Sequence, residues 1–175
     1  MAESADWRDP LRKIAWHIGQ DHYPSGDLAT LRRLDPDCPD GRAFWALVHG
    51  YAEPAFDDDR AARALAAVIR CLAIAHPFHR PKDGERRGFG DALALAGVSE
   101  MRLLRILNLQ AKDLPNELRR LARLLASKGD AGRADWSQAF ALLHGRDGEK
   151  IRTDIAKAYY RQQFTLAKDK EEQAA

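Results

Sequence analysis

Apolar residues recur at helical spacing along most of the chain, and no segment alternates as a half-buried strand does. In residues 116–129, NELRRLARLLASKG, the leucines share one side of a helix and three arginines crowd another. Alanine, leucine and arginine are frequent, and all three favour helix. The pattern predicts helices at 9–19, 27–34, 40–50, 58–76, 90–96, 99–110, 113–127, 135–145 and 147–166.

Residues at the ends of these segments support the assignment. The aspartates at 57–59 and Ser99 precede helices, where their side chains act as N-caps. Glycines stand where helices should end, at Gly97, Gly129 and Gly145. The sequence therefore predicts an all-α fold, a compact multi-helix bundle.

Residues 77–90, PFHRPKDGERRGFG, interrupt the helical pattern. Two prolines, three glycines and four bases in this stretch predict an exposed basic loop. The loop is a candidate boundary between two small packed sub-bundles within a single helical domain over residues 1–166. The polar tail at 167–175 is expected to fray.

Composition indicates a soluble globular chain. It has 175 residues, of which 45% are hydrophobic and 31% charged. No run approaches the roughly 18 apolar residues that span a bilayer, and MAESADWRDP lacks the apolar region of a secretory signal. We therefore expect a cytoplasmic protein with no membrane partner. Cys38 and Cys71 are expected to be reduced, and neither has the CxxC partner of a zinc site.

Charge is segregated along the chain, although the formal net charge is only +2. Residues 35–60 hold seven acids against two bases, whereas residues 99–128 hold seven bases against three acids. A focused basic region matters more for binding a polyanion than the total charge does.

The candidate nucleic-acid-binding surface lies on the helices predicted at 99–110 and 113–127. Its arginines fall on the polar sides of the two helices, and on the second helix only Glu117 is placed to neutralise them. If the helices form a hairpin, the arginines merge into one phosphate-binding track; a solvated basic face is the alternative. The residues concerned are Arg102, Arg105, Arg119, Arg120 and Arg123.

Other bases extend this candidate track. They lie on the short helix LATLRRL, in the basic loop and at the start of the last helix. For the loop, a mobile charged linker is the competing interpretation. The additional candidates are Arg32, Arg33, Arg86, Arg87, Lys150 and Arg152.

Catalysis finds no support in the sequence. His76 and His79 have HxxH spacing, but a third metal ligand and the glutamate of HExxH are missing. The aspartates at 57–59 fit a helix cap better than a cation site. No P-loop, GxSxG motif or paired-carboxylate constellation is present, so we expect a protein that is not an enzyme and binds no cofactor or metal.

Residues 91–108, DALALAGVSEMRLLRILN, leave a second function open. The glycine turn between two amphipathic helices is similar to that of a helix-turn-helix, in which Arg102 and Arg105 would point at base edges. A plain helical hairpin produces the same spacing. The alternative function is therefore a sequence-specific DNA-binding regulator.

The order of the segments carries a family resemblance. LATLRRL is followed by GRAFWALVHG, a long alanine-rich helix, a basic loop leading to GFGDALALAGVSEMRLLRIL, then LPNELRRLARLLASKG, ADWSQAFALLHG and AYY. Over about residues 7–160 this order resembles the CasB family, the small subunit of Cascade, the type I-E CRISPR surveillance complex. The specificity lies in the order and spacing rather than in any one motif.

The resemblance implies an all-helical subunit without enzymatic activity, present in two copies beside the crRNA-bearing backbone. The implied partners are the other Cascade subunits, a second copy of the chain, crRNA and target DNA. Its basic surface would help to hold the opened target DNA, especially the displaced strand, in the R-loop. The residues that match basic positions of the family are Arg32, Arg33, Arg102, Arg119 and Arg120, while Asn108 departs from a position at which some members carry a base.

Overall fold

The computed structural model describes residues 7–85, 87–145 and 148–174, and no residue in these ranges lies in a β-strand. The prediction of an all-α bundle is confirmed. In chain order the helices are α1 (Arg8–Ile18), α2 (Ser25–Leu31), α3 (Arg42–Tyr51), α4 (Asp59–Ala75), α5 (Phe89–Leu95), α6 (Glu100–Asn108), α7 (Leu114–Ser127), α8 (Ser137–His144) and α9 (Gly148–Ala174). Two 3-10 turns, Glu53–Phe56 and Gly129–Gly132, are not predicted by the apolar spacing.

Helix caps explain why most ends fall close to their predicted positions. Asp58 caps α4, because its Oδ1 accepts from the backbone N–H groups of Arg60 and Ala61 at 3.0 Å. The Ser99 hydroxyl accepts from the backbone N–H of Arg102 at 3.4 Å and caps α6. Gly145 ends α8 in the left-handed conformation, with φ of 73°.

The last helix is longer than predicted. α9 continues to Ala174 instead of ending near residue 166, so the polar tail is helical where it is described. Lysine and glutamate are good helix formers, and Lys168 lies 3.6 Å from Glu172 one turn later. Pairs of this kind stabilise an exposed helix by a few tenths of a kcal/mol.

The central helix of the bundle is α4. Nearly every residue from Ala61 to Ala75 is buried, and α1, α2, α7 and α8 pack against it. Many of these residues are alanines, whose small side chains let neighbouring helices approach. Leu65, before the basic loop, and Leu118, after it, belong to the same apolar core. Helices on the two sides of the loop therefore share that core.

Contacts with α9 fix the positions of α5 and α6. Gly90 of α5 packs directly against the backbone of α9, where an added Cβ would meet the carbonyl oxygen of Ile155. At the start of α6, the Tyr160 hydroxyl donates to Glu100 Oε1 at 2.7 Å. At its end, Arg152 Nε donates to the carbonyl oxygen of Leu107 at 2.6 Å. α6 is thus held by α9 at both ends, beside the start of α7.

Several expectations from composition can be compared with the burial pattern. Trp136 and Tyr159 are buried, and Trp45 is partly buried against the core, so these aromatic side chains are packing residues. Cys71 is a buried free thiol, and Cys38 is free and exposed. Within the described ranges, no helix has both the length and the apolar character needed to cross a bilayer.

Candidate nucleic-acid interface

Glu117 of α7 connects the arginines of α6 and α7. Its Oε1 accepts from Nε and Nη2 of Arg102 at 3.1 and 2.9 Å, and lies 3.4 Å from Nη2 of Arg105. Its Oε2 accepts from Nη1 of Arg120 at 3.3 Å. One carboxylate therefore binds three arginines from two helices, and these two helices present their basic residues side by side.

We call the five predicted arginines of these helices the α6–α7 arginine face: Arg102, Arg105, Arg119, Arg120 and Arg123. The side chains of Arg105 and Arg120 are 62% and 70% exposed, so their guanidinium groups reach solvent while contacting Glu117. Arg123 is exposed and has no ion-pair partner among the described residues. With five guanidinium groups and one carboxylate that binds three of them, the face carries excess positive charge.

Glu117 is only 4% exposed, which makes it a structural part of this face rather than a surface acid. Burial by itself raises the pKa of the Glu117 carboxyl. Hydrogen bonds and charges of Arg102, Arg120 and Arg105 outweigh burial, so the pKa is lowered overall. The carboxylate is therefore ionised at neutral pH and holds the three guanidinium groups in place.

Arg119 is less exposed than the helical wheel predicts. The wheel places it opposite the leucine stripe, but its side chain is half-buried and its Nε is buried without a hydrogen-bond partner among the described residues. Side chains on a helix tilt toward its N-terminus, which directs Arg119 toward Pro115 and α4. Arg120 and Arg123 are exposed on the polar side of α7, whereas Arg119 is only partly so.

The two predicted arginines after α2 both hydrogen-bond backbone carbonyl groups. Arg32 Nε donates to the carbonyl oxygen of Ala73 at 3.0 Å, which fixes it against α4. Arg33 is exposed, and its Nε donates to the carbonyl oxygen of Ala29 at 3.2 Å. These bonds use one donor of each guanidinium group and leave the others available.

The predicted bases of α9 differ in their surroundings. Arg152 is half-buried against the end of α6 through its bond to Leu107. Lys150 is exposed, with no ion-pair partner within the described ranges. The structure thus places Arg152 next to α6 mainly as a packing residue.

Bases of the loop are largely engaged with acids of the loop and the turn at Gly129–Gly132. Arg87 donates to the carbonyl oxygen of Asp130, and its Nη2 lies 3.7 Å from Glu85 Oε2. Lys82 and Arg133 hydrogen-bond the Asp130 carboxylate, and these bonds lower its pKa to about 2. Arg86 lies outside the described residues. The loop therefore offers less free positive charge than its sequence suggests.

The packing of α5 and α6 does not favour the helix-turn-helix alternative. Almost all of α5 is buried, and it packs on α9 rather than standing beside α6 as a separate motif. Both arginines that would read bases, Arg102 and Arg105, contact Glu117 of α7.

The histidines of HPFH have structural roles. Nε2 of His79 lies 2.7 Å from the carbonyl oxygen of Ala15, and the ring is buried and stacked on His76. Burial lowers the pKa of His79 to about 4, against the opposing effect of that hydrogen bond. The ring is therefore neutral at pH 7, with the proton on Nε2. No group of three or more potential metal ligands occurs among the described residues.

Fold and charge together define an all-α protein with a concentrated arginine surface on two adjacent helices. The profile of the CRISPR-associated protein Cse2 family matches residues 27–160, and the chain belongs to that family.

Two solved structures share the fold. A chain in the crystal structure of E. coli Cascade bound to a PAM-containing dsDNA target matches with a TM-score of 0.65 and 22% identity, covering 88% of this chain and 96% of that one. The crystal structure of M. ruber CasB matches with a TM-score of 0.68 and 22% identity, covering 93% and 97%. Comparison with curated proteins gives no match.

Proposed function

We propose that the chain is a non-catalytic subunit of a CRISPR RNA-guided surveillance complex. In this complex the α6–α7 arginine face stabilises target DNA in the R-loop through sequence-independent backbone contacts. Membership of the Cse2 family and the shared fold with a chain of E. coli Cascade support the assignment to such a complex. The observation that carries the DNA-binding role is the group of three arginines that share a single buried carboxylate on two adjacent helices, with two further arginines on the second helix.

The energetics of target opening explain why a surface of this kind is useful. The RNA–DNA heteroduplex is about as stable as the DNA duplex it replaces, so modest protein–backbone contacts can decide whether the opened state persists. Guanidinium groups bind phosphates in bidentate geometry and carry no sequence information when they do so. The face therefore suits a polyanion of any sequence.

Assembly partners belong to the same proposal: the other subunits of the complex, a second copy of the chain, and crRNA. The exposed acids Asp35, Asp37 and Asp40 lie in the acidic segment 35–60, which offers a surface of opposite charge for such contacts. Copurification of tagged protein with the other subunits and crRNA tests this part. Recovery of the chain alone, under conditions in which the remaining subunits assemble, would contradict it.

Removing the exposed part of the arginine face is expected to weaken target DNA binding by the reconstituted complex. The variant Arg105→Ala/Arg120→Ala/Arg123→Ala leaves the Arg102–Glu117 pair and the half-buried Arg119 intact, so the fold should change by less than about 1 kcal/mol. Each lost phosphate contact should reduce the slope of log affinity against log salt by about 0.9, or about 0.7 on a single strand. Affinity is measured across a salt series on several unrelated targets.

A matched control removes the same charge elsewhere. Arg12, Arg42 and Arg63 are exposed on α1, α3 and α4 and have no ion-pair partners among the described residues. Their triple alanine variant should bind target DNA nearly as the wild type does. Equal loss in both variants would mean that only total charge matters, and an unchanged arginine-face variant would identify a solvated basic surface.

Substrate comparisons separate the R-loop role from the regulator alternative. The arginine-face variant should lose more affinity for a matched duplex than for a pre-opened bubble, because only the duplex must be unwound. A strong preference of the isolated chain for one duplex sequence would instead indicate helix-turn-helix recognition.

A further inference from the structure

Arg70 of α4 is a buried cation that the apolar pattern of α4 conceals. It is 6% exposed. Its Nη2 donates to the carbonyl oxygen of Pro115 on α7 at 3.0 Å, and its Nη1 donates to that of Leu34 after α2 at 3.4 Å. Its Nε is buried without a partner, and no carboxylate forms an ion pair with it within the described ranges. A buried charge without an ion pair is unfavourable for the fold. Stability alone therefore does not explain why an arginine occupies this position.

Arg119 of α7 brings a second unpaired guanidinium group to the same place. Arg119 follows Pro115 by one helical turn and tilts back toward it, so it leans toward the carbonyl group that binds Arg70. Its Nε is also buried without a partner in the part of the chain that is described. Desolvation is the main cause that lowers the pKa of Arg70, and the charge of Arg119 lowers it further.

Arg32 completes the cluster from the α2 side. Its Nε donates to the carbonyl oxygen of Ala73, three residues after Arg70 on α4. Its positive charge adds to desolvation in lowering the pKa of His76. Arg32 therefore binds α4 about one helical turn beyond Arg70, while Arg119 approaches Arg70 from α7.

Two acids oppose this charge from a greater distance. The charges of Asp35 and Asp37 raise the pKa of Arg70, but neither forms an ion pair with it. Both are exposed, and Asp35 Oδ1 accepts from the backbone N–H of Asp37 at 3.0 Å. The cluster contrasts with Arg102, Arg105 and Arg120, which already contact the carboxylate of Glu117.

We propose that Arg32, Arg70 and Arg119 form a discrete phosphate-binding site at the junction of the segment after α2, α4 and α7. Its ligand is a backbone phosphate of the nucleic acid that binds the α6–α7 arginine face. Arg119 belongs to both that face and this site. This proposal rests on the proposed function and adds to it one phosphate-binding site at a fixed position on the surface. Arg119 contributes a partly exposed guanidinium group from α7, Arg32 contributes an exposed one from the segment after α2, and Arg70 contributes a buried charge between them on α4.

The chemistry selects a phosphate over other anions of the cell. Guanidinium groups on two sides match the several oxygens of a tetrahedral anion and bind it with paired hydrogen bonds. A bound phosphate also brings negative charge closer to Arg70 than Asp35 and Asp37 do, neither of which forms an ion pair with it.

The test compares two variants of the full-length chain with wild type. Arg70→Met removes the buried charge and fills most of its space, but it also takes a donor from the carbonyl oxygens of Leu34 and Pro115, so its melting temperature is measured together with binding. Arg119→Gln removes the accessible charge from a partly exposed position. Each should weaken binding of a single-stranded oligonucleotide by roughly tenfold and shallow the salt slope by about 0.7. Arg123→Ala, one turn further along α7, is the reference for the arginine face.

Four outcomes are decisive. Loss of binding in Arg70→Met, with an unchanged or raised melting temperature, supports the site, because a purely structural arginine would not separate the two readouts. Wild-type binding by both variants, while Arg123→Ala binds weakly, overturns the site and leaves the proposed function standing. Wild-type binding by all three contradicts both proposals. The fourth outcome uses inorganic phosphate. If phosphate raises the melting temperature of the wild type but not of the two variants, and the variants still bind the oligonucleotide, the nucleic-acid site is overturned and the arginines bind free phosphate instead. If Arg70→Met does not fold, Arg119→Gln gives the same comparison.

Discussion

Gly90→Ala is expected to destabilise the fold by about 3 kcal/mol, the upper part of the range for overpacked positions. α5 approaches α9 so closely that a Cβ at residue 90 would meet the carbonyl oxygen of Ile155 and the side chain of Ala158. Backbone cannot move aside as a flexible side chain can, so the two helices must separate. For a chain of this length the melting temperature should fall by about 6–12 °C. Thermal and denaturant unfolding measure both quantities.

Gly50→Ala provides the matched control, because it also lies in a helix but has nothing within 4 Å of an added Cβ. There the substitution should be neutral or stabilise by up to about 1 kcal/mol, since alanine is the better helix former. Equal stability of the two variants would show that α5 and α9 can separate without loss, contrary to the packing described.

The helices were predictable because their apolar residues face a single core. Leu114, Leu118, Leu121 and Leu125 recur at the spacing of one helix face, and all four are buried. A periodicity of this kind predicts an amphipathic helix without any knowledge of the helix that packs against it. Sequence could not predict that α9 runs beyond residue 166, because a polar segment with exposed ion pairs has no apolar stripe to reveal it.

The surroundings of the arginines were less predictable, because they depend on neighbours that are distant in sequence. The wheel gives Arg119 an outward direction, yet α4 packs close enough to half-bury it. A signal for Glu117 was available: it lies three residues after Leu114 and four before Leu121, on the buried stripe of α7. A carboxylate there must be buried and needs cationic partners, which α6 supplies.

Arg70 shows the same limitation more strongly. Its sequence neighbours, Ile69 and Cys71, are fully buried, and in the sequence a single arginine in such a run is indistinguishable from one exposed residue of an amphipathic helix. Only the packing of α2 and α7 on α4 shows that Arg70 is buried and that Arg119 lies nearby.

Glu117→Gln is expected to weaken the fold and strengthen polyanion binding at the same time. The substitution keeps the shape of the side chain but removes the charge that attracts Arg102, Arg105 and Arg120. Removing one partner of a buried ion pair costs about 3–5 kcal/mol. These arginines are partly exposed and can be rehydrated, so we expect about 2 kcal/mol. Denaturant unfolding gives this value, and Glu53→Gln, at an exposed glutamate, should change it little.

The pH dependence of stability provides an independent check on Glu117. Because the folded-state pKa of Glu117 is lowered, its contribution is complete above the unfolded pKa, about 4.3, and is lost as pH falls through the folded pKa. The wild type should therefore be more stable than Glu117→Gln by a constant amount above about pH 5. The difference should narrow as the solution is acidified below that value, because both chains then lack the charge. A difference that stays constant down to pH 3 would show that the charge contributes nothing.

Glu117→Gln should increase the affinity for nucleic acid although it lowers the stability of the fold. Without the carboxylate, the α6–α7 arginine face has five guanidinium groups and no internal counter-charge, and its attraction for phosphate rises. Exposed charge pairs contribute up to about 1 kcal/mol, so the affinity for a single-stranded oligonucleotide at low salt should increase by about two- to fivefold. The gain should disappear as salt screens the added charge. If Glu117 served only to hold the arginines in a binding geometry, its loss would weaken binding together with stability. The sign of the change therefore decides whether the net charge of the face or its fixed geometry controls affinity.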